Sequence, residues 1–147
     1  MGDDLLGGLL RQVSRSFYLS LAILPRPLRE PIGLAYLLAR AADSVADTRL
    51  CARHERLAHL ETLRRAYAGD PADVGAVARA CAPHEAHAAE RALLERVAEA
   101  LARVAALPPA DRHEVRAVLA TLTSGMIFDL ARFPGDDATG LAALETL

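Results

Sequence analysis

The sequence contains no lysine and no tryptophan, and aromatic residues make up only 4% of its 147 positions. All 17 basic residues are therefore arginines. Without lysine the chain cannot form a Schiff base or the lysine-containing phosphate loop, which excludes two large classes of catalytic site. The net charge of −2 gives the molecule no general basic field, so we expect no nucleic-acid partner.

Cysteine and long apolar runs are also scarce. Cys51 and Cys81 are the only cysteines, too few for a disulfide framework. The acidic start at positions 1–4 lacks the positive charge of a targeting segment. The longest apolar stretch, at 31–42, is interrupted by an arginine and is too short to cross a bilayer. We therefore expect a soluble protein of a reducing compartment, the cytoplasm.

Alanine and leucine at helical spacing are abundant. Hydrophobic residues make up 52% of the chain, enough for a core, and no alternating strand pattern persists. We predict an all-α fold whose helices are separated by proline and glycine, with the ranges 4–24, 28–48, 53–68, 72–80, 84–107, 110–132 and 138 onward. Ser14 and Ser16 interrupt the first helix, which predicts two pieces. Pro31 is expected in the first turn of the second helix, where no amide hydrogen is needed.

The second helix carries a polar stripe on an otherwise apolar surface. The stripe consists of Tyr36, Arg40, Asp43 and Asp47, which fall within an arc of about 60° at about 100° per residue. A helix so apolar elsewhere should be buried on most sides. Because unpaired buried carboxylates are costly, the polar stripe should face a hydrated cavity.

Asp43 and Asp47 lie one helical turn apart on this stripe. Two carboxylates at that spacing suit Mg²⁺, which completes its shell with water and substrate phosphates. Arg40, one turn earlier, is placed to contact a diphosphate, the aspartates or both. On an ordinary amphipathic helix the same residues would be a solvated surface group, but the apolar surroundings favour a metal site here.

A second informative segment is Ser14-Arg15-Ser16-Phe17. Hydroxyls and guanidinium groups bind phosphate, and an aromatic ring can line an apolar pocket or stabilise a carbocation. Taken alone, the segment would equally suit a helix cap followed by a core aromatic residue.

Together these features resemble a known family. The Ser-Arg-Ser-Phe segment at 14–17, a proline-containing turn and the pattern Tyr-x-x-x-Arg-x-x-Asp-x-x-x-Asp at 36–47 resemble the N-terminal region of squalene/phytoene synthases, including their first aspartate-rich motif. The segment 123–134 is similar to the family's mid-domain helix, where Met126 would border the pocket. The family's second aspartate-rich motif has no counterpart here. The resemblance therefore implies an incomplete class I isoprenoid-synthase-type helical bundle, with residues 1–147 as the N-terminal part of a single domain.

The resemblance implies a transferase that condenses two prenyl diphosphates head to head, most directly farnesyl diphosphate to presqualene diphosphate and squalene. Asp43 and Asp47 would bind Mg²⁺. Diphosphate oxygens would be held by Arg40, Ser14, Arg15 and Ser16. Tyr36 and Phe17 would line the cavity near the reacting carbons. The catalytic set would be the polar stripe.

Further expectations concern the whole protein. Squalene formation would require reduction by NADPH. The lipophilic product implies peripheral association with the inner face of the membrane, and we expect the full-length protein to be a monomer. The fragment alone should be inactive, because the second aspartate-rich motif is missing.

Three alternatives stay open. The enzyme would be a phytoene synthase if its substrate were geranylgeranyl diphosphate. A class I terpene cyclase also ionises a diphosphate with helical aspartates, but the Ser-Arg-Ser-Phe segment at 14–17 favours the head-to-head type. A non-catalytic helical scaffold that retains an ancestral site is the third. Magnesium-dependent diphosphate binding would argue against the scaffold.

Overall fold

A computed structural model describes residues 4–48, 52–85 and 87–132 of the chain. These residues form helices and connecting turns, with no strand among them. The prediction of an all-α fold is confirmed. A π-helical turn at Asp4–Leu9 and a 3₁₀ turn at Ala82–His84 accompany the α-helices. The α-helices are α1 Leu10–Val13, α2 Arg15–Ala22, α3 Arg26–Asp47, α4 Arg53–Tyr67, α5 Val74–Cys81, α6 Ala88–Glu95, α7 Val97–Ala105 and α8 Pro109–Arg132.

The first predicted helix is divided at Ser14. This residue has extended backbone angles (φ −154°, ψ 101°), and its Oγ accepts a hydrogen bond from the backbone N–H of Phe17 at 3.3 Å. Serine is a favoured N-cap because its hydroxyl satisfies an amide that has no partner in the first turn. The break predicted for this helix is therefore confirmed at Ser14. Ser16 lies inside α2 and does not interrupt it.

Two other predicted boundaries were wrong. α3 begins at Arg26, so Pro27 occupies its first turn and Pro31 lies further inside the helix. The predicted helix at 84–107 is two helices that meet at Arg96. The N–H of Arg96 bonds to the carbonyl oxygen of Leu93, three residues back, at 3.1 Å, which interrupts the α-helical ladder without a proline or glycine to mark it. The helix predicted from residue 138 lies outside the described residues.

α3 is the central element of the fold. It packs against α2, α4, α6, α7, α8 and the π-helical turn. Six of its side chains are completely buried: Leu34, Leu37, Leu38, Ala41, Ala42 and Val45. Gly33 permits close contact on this helix, because a Cβ there would lie 2.7 Å from a methyl carbon of Leu6 and 3.2 Å from one of Leu21. The predicted burial of this helix on most sides is confirmed.

α4 is anchored to α3 by a buried tyrosine. The hydroxyl of Tyr67 donates to the backbone carbonyl oxygen of Leu38 at 2.7 Å, and the residue is 1% exposed. Burial raises the pKa of Tyr67 far above its ordinary value, so the phenol stays protonated and keeps its donor. Leu60 and Leu63 of α4 are completely buried beside it. This contact holds α4 against α3.

Several large apolar side chains remain exposed. They are Leu19, Ile23, Leu28 and Ile32 on and between α2 and α3, and Val118, Leu122 and Phe128 on α8. Within the described ranges, no helix combines the length and hydropathy needed to span a membrane.

The core contacts of α4 lead to a stability prediction. Leu63→Ala should lower the free energy of unfolding by about 2–5 kcal/mol, because it leaves a cavity in a fully buried position. Tyr67→Phe should lower it by about 1 kcal/mol through loss of one hydrogen bond. Urea unfolding followed by far-UV circular dichroism measures both. Leu19→Ala, at an exposed position, is the control and should change the value by less than about 0.5 kcal/mol. An equal loss in Leu19→Ala and Leu63→Ala would contradict this description of the core.

Candidate functional site

The polar stripe occupies the C-terminal half of α3. Tyr36, Arg40 and Asp43 are half-buried, and Asp47 is exposed near the end of the helix. The apolar positions between them point into the core, which sets the rotation of α3 about its axis. The four residues therefore lie on one face of α3 at the edge of the core, while the hydrated cavity expected in front of them stays a prediction.

The start of α2 lies against this stripe. The ring of Phe17 stacks on the ring of Tyr36, with centroids 4.0 Å apart and an angle of 11° between the planes. Ser14 caps α2, while Arg15 and Ser16 are exposed in its first turn. The stack brings two segments that are about twenty residues apart in sequence into one surface patch.

Arg40 is paired with a residue that the sequence analysis did not select. Its Nη2 donates to Glu90 Oε1 at 3.0 Å, and Ser44 Oγ donates to Glu90 Oε2 at 2.5 Å. Glu90 belongs to the first turn of α6, and its side chain is only 12% exposed. Burial by itself lowers the pKa of Arg40, but the hydrogen bond and the charge of Glu90 outweigh it and the pKa lies above its ordinary value. Arg40 is therefore held permanently charged.

The C-terminal end of α3 has further contacts. Thr48 Oγ1 lies 2.9 Å from Glu85 Oε1 and 2.6 Å from the carbonyl oxygen of Ser44. Arg56 of α4, 3% exposed, donates from Nη1 to the carbonyl oxygen of Ala46 at 3.1 Å. These contacts satisfy carbonyl oxygens near the helix end that have no partner within the helix. They hold the backbone that carries Asp43 and Asp47.

The donor set on α3 can be compared with the needs of a magnesium ion. Asp43 and Asp47 provide two carboxylates one turn apart on one face. In the part of the chain that the structure describes, no group of three or more His, Cys, Asp or Glu residues is arranged to hold a metal. Mg²⁺ is usually bound by one or two carboxylates together with water and substrate phosphates. The residues present fit this kind of ion, whereas a fully protein-coordinated metal would need more ligands.

Two clefts lie beside α2. One of about 400 Å³ is lined by Arg11 and Arg15, and Arg11 is held over the ring of Tyr18, 5.7 Å from its centroid. A larger one of about 610 Å³ lies between the π-helical turn, α2, α3 and α7. None of the residues that line the larger cleft belongs to the predicted site. The larger cleft therefore does not coincide with the predicted site.

The sequence patterns indicated Met126 as a site residue but did not indicate Glu90. Met126 lies on α8, half-buried and packed against the hydrophobic core, and its place at a substrate pocket stays a prediction. Glu90 was missed because its segment has the composition of a solvated amphipathic helix. Its contact with Arg40 spans fifty positions, and no local pattern indicates it. That composition is typical of an exposed helix face, whereas the side chain of Glu90 is only 12% exposed.

A comparison with protein families gives an independent result. The family model described as squalene/phytoene synthase matches residues 10–144. No individual curated protein and no solved structure matches the chain significantly. The family match includes both segments that the Phe17–Tyr36 stack brings together. The chain belongs to the squalene/phytoene synthase family.

Proposed function

We propose that this chain carries the first metal-binding and diphosphate-binding surface of an enzyme that condenses two molecules of farnesyl diphosphate to presqualene diphosphate and then squalene. Family membership supports a prenyltransferase of the head-to-head type. The observation that carries the site is the stack of Phe17 on Tyr36 at 4.0 Å. It sets the capped start of α2 beside the polar stripe, so that anion-binding and metal-binding groups share one surface.

The start of α2 supplies groups for diphosphate oxygens. Ser14 Oγ uses a lone pair to accept from Phe17 N–H, which leaves its hydroxyl hydrogen available for an anion. The backbone amides of Arg15 and Ser16 lie in the first turn of the helix, at the positive end of its dipole. The exposed guanidinium of Arg15 adds a charged donor. Together these groups bind and orient one diphosphate.

Asp43 and Asp47 hold Mg²⁺ in this proposal. When bound, the ion offsets the negative charge that develops on the diphosphate as the carbon–oxygen bond breaks and the electron pair leaves with it. Arg40 donates to diphosphate oxygens from the guanidinium edge that Glu90 does not use. The rings of Tyr36 and Phe17 lie near the carbon that becomes cationic, where an aromatic face lowers its energy.

The remaining parts of the reaction belong to the whole protein. Residues 1–147 are proposed as the N-terminal part of a single domain whose other part provides a second aspartate-rich motif. The exposed side chains of Val118, Leu122 and Phe128 would pack against that other part. Met126 would border the pocket. The whole protein would act as a monomer at the inner face of the membrane, with NADPH as the reductant for squalene.

Substitution of the two aspartates tests the metal site. Asp43→Asn or Asp47→Asn in the whole protein should reduce turnover at saturating Mg²⁺ by about 100-fold or more. The reason is that the metal contributes several kcal/mol and each loss of about 1.4 kcal/mol slows the reaction about tenfold. Product formation from radiolabelled farnesyl diphosphate measures the effect.

The matched control is Asp70→Asn, which removes the same charge from an exposed turn after α4. It should leave turnover within about twofold, and far-UV circular dichroism should show an unchanged fold in all three variants. Near-normal turnover of Asp43→Asn or Asp47→Asn would contradict the metal site. A protein that binds no diphosphate in Mg²⁺ would favour the scaffold alternative.

Analysis of the products tests which prenyl diphosphate the whole protein uses. The whole protein should convert farnesyl diphosphate to presqualene diphosphate with Mg²⁺ alone and to squalene when NADPH is added. The 147-residue chain by itself should form neither product, because it lacks the second aspartate-rich motif. Chromatography with mass spectrometry distinguishes the products. Phytoene from geranylgeranyl diphosphate would show the phytoene-synthase alternative, and a cyclic terpene would show the cyclase alternative.

A further inference from the structure

We infer that Glu90 is a positioning residue for the diphosphate: it holds the guanidinium of Arg40 from one side so that its other edge is presented to the substrate. The inference rests on the proposed function of the polar stripe. It adds a residue of α6 that lies outside the three segments, 14–17, 36–47 and 123–134, by which the family resemblance was drawn. It also gives α6 a part in substrate binding.

The geometry of Glu90 leaves little freedom to the side chains it contacts. Each carboxylate oxygen has its own donor, Arg40 Nη2 at 3.0 Å and Ser44 Oγ at 2.5 Å. Arg40 and Ser44 are one turn apart on α3, so the carboxylate spans that turn from the neighbouring helix. Such short, charge-assisted hydrogen bonds are stronger than neutral ones. A carboxylate that is 12% exposed and accepts a hydrogen bond at each oxygen therefore fixes the direction of the arginine.

The nitrogen atoms of the Arg40 guanidinium differ in their surroundings. Nη2 is used by Glu90, and Nε is buried with no hydrogen-bond partner in the described residues. The side chain as a whole is 40% exposed, and the negative charge of Asp43 acts on it. Without Glu90 the arginine would have several other rotamers available, and binding would have to restrict them. Glu90 thus lowers the entropy cost of diphosphate binding.

Two other roles for Glu90 lead to different outcomes. If the carboxylate only connected α6 to α3, its loss would lower stability and leave diphosphate affinity unchanged. If its negative charge mainly repelled the substrate, its loss would tighten diphosphate binding. Positioning predicts weaker binding with little change in the fold. The sign of the change in affinity therefore separates these roles.

The test compares variants of the whole protein by isothermal titration with inorganic diphosphate in Mg²⁺. Glu90→Gln keeps the shape of the side chain and an acceptor for Ser44, but removes the charge that holds Arg40. It should weaken binding about tenfold, equivalent to about 1.4 kcal/mol. With farnesyl diphosphate, KM should rise by a similar factor while kcat stays within about threefold, since the contact with Arg40 is made before and during bond breaking. Glu95→Gln on the exposed side of the same helix is the control and should change neither value by more than about twofold.

A double-mutant cycle with Arg40→Lys shows whether Glu90 acts through the arginine. In the Arg40→Lys background, Glu90→Gln should lower the affinity for diphosphate by no more than about a further twofold, whereas independent effects would multiply.

If Glu90→Gln does not fold, Ser44→Ala replaces it, because it removes the second contact of the carboxylate and should weaken diphosphate binding about threefold. The inference would be overturned, and the proposed function would stand, if the folded variants Glu90→Gln and Ser44→Ala bound diphosphate as tightly as the wild type or more tightly. Effects of Glu90→Gln and Arg40→Lys that multiply in the cycle would have the same consequence. A wild-type protein that binds no diphosphate would overturn the proposed function and this inference with it.

Discussion

The structure depends on one constraint, which is that α3 must be buried on most of its circumference and yet keep a polar stripe at its edge. Its six completely buried side chains meet five other helices and the π-helical turn. Complete burial of each leucine contributes about 1.5–3 kcal/mol, so a rotation of α3 that exposed them would be strongly unfavourable. The burial that stabilises the helix therefore also determines where Asp43 and Asp47 point.

The break at Ser14 likewise affects both the helical structure and the polar surface. A single continuous helix would satisfy the amides of Arg15 and Ser16 internally, whereas the cap at Ser14 begins a new helix and leaves the amides of its first turn directed outward. The stack of Phe17 on Tyr36 then places that turn beside α3, and aromatic pairs of this kind contribute about 0.5–1.5 kcal/mol beyond the area they bury. A local capping preference and one tertiary contact together bring the start of α2 to the face of α3 that carries the polar stripe.

Charge balance explains the contact between α6 and the polar stripe, because the carboxylate of Glu90 compensates the charge of Arg40. Leaving a partly buried arginine without its carboxylate would be costly, because the desolvated charge would lose its compensation. Glu90 thus stabilises Arg40 in the absence of substrate. The Thr48–Glu85 contact fixes the end of the same helix from the same side.

The sequence by itself determined the helical class, the burial of α3 and the grouping of the polar stripe, because each follows from local composition and from a period of 3.6 residues. It also predicted a break near Ser14 and Ser16 and allowed a helix cap in that segment, since capping is an interaction within four residues, and the structure places the cap at Ser14. It did not determine the division of the segment 84–107 at Arg96, where composition favours helix on both sides. Only the tertiary structure decided that Phe17 meets Tyr36 and that Glu90 meets Arg40 and Ser44. Those contacts depend on how the helices pack around α3, and packing joins residues whose separation in the chain leaves no periodic signal.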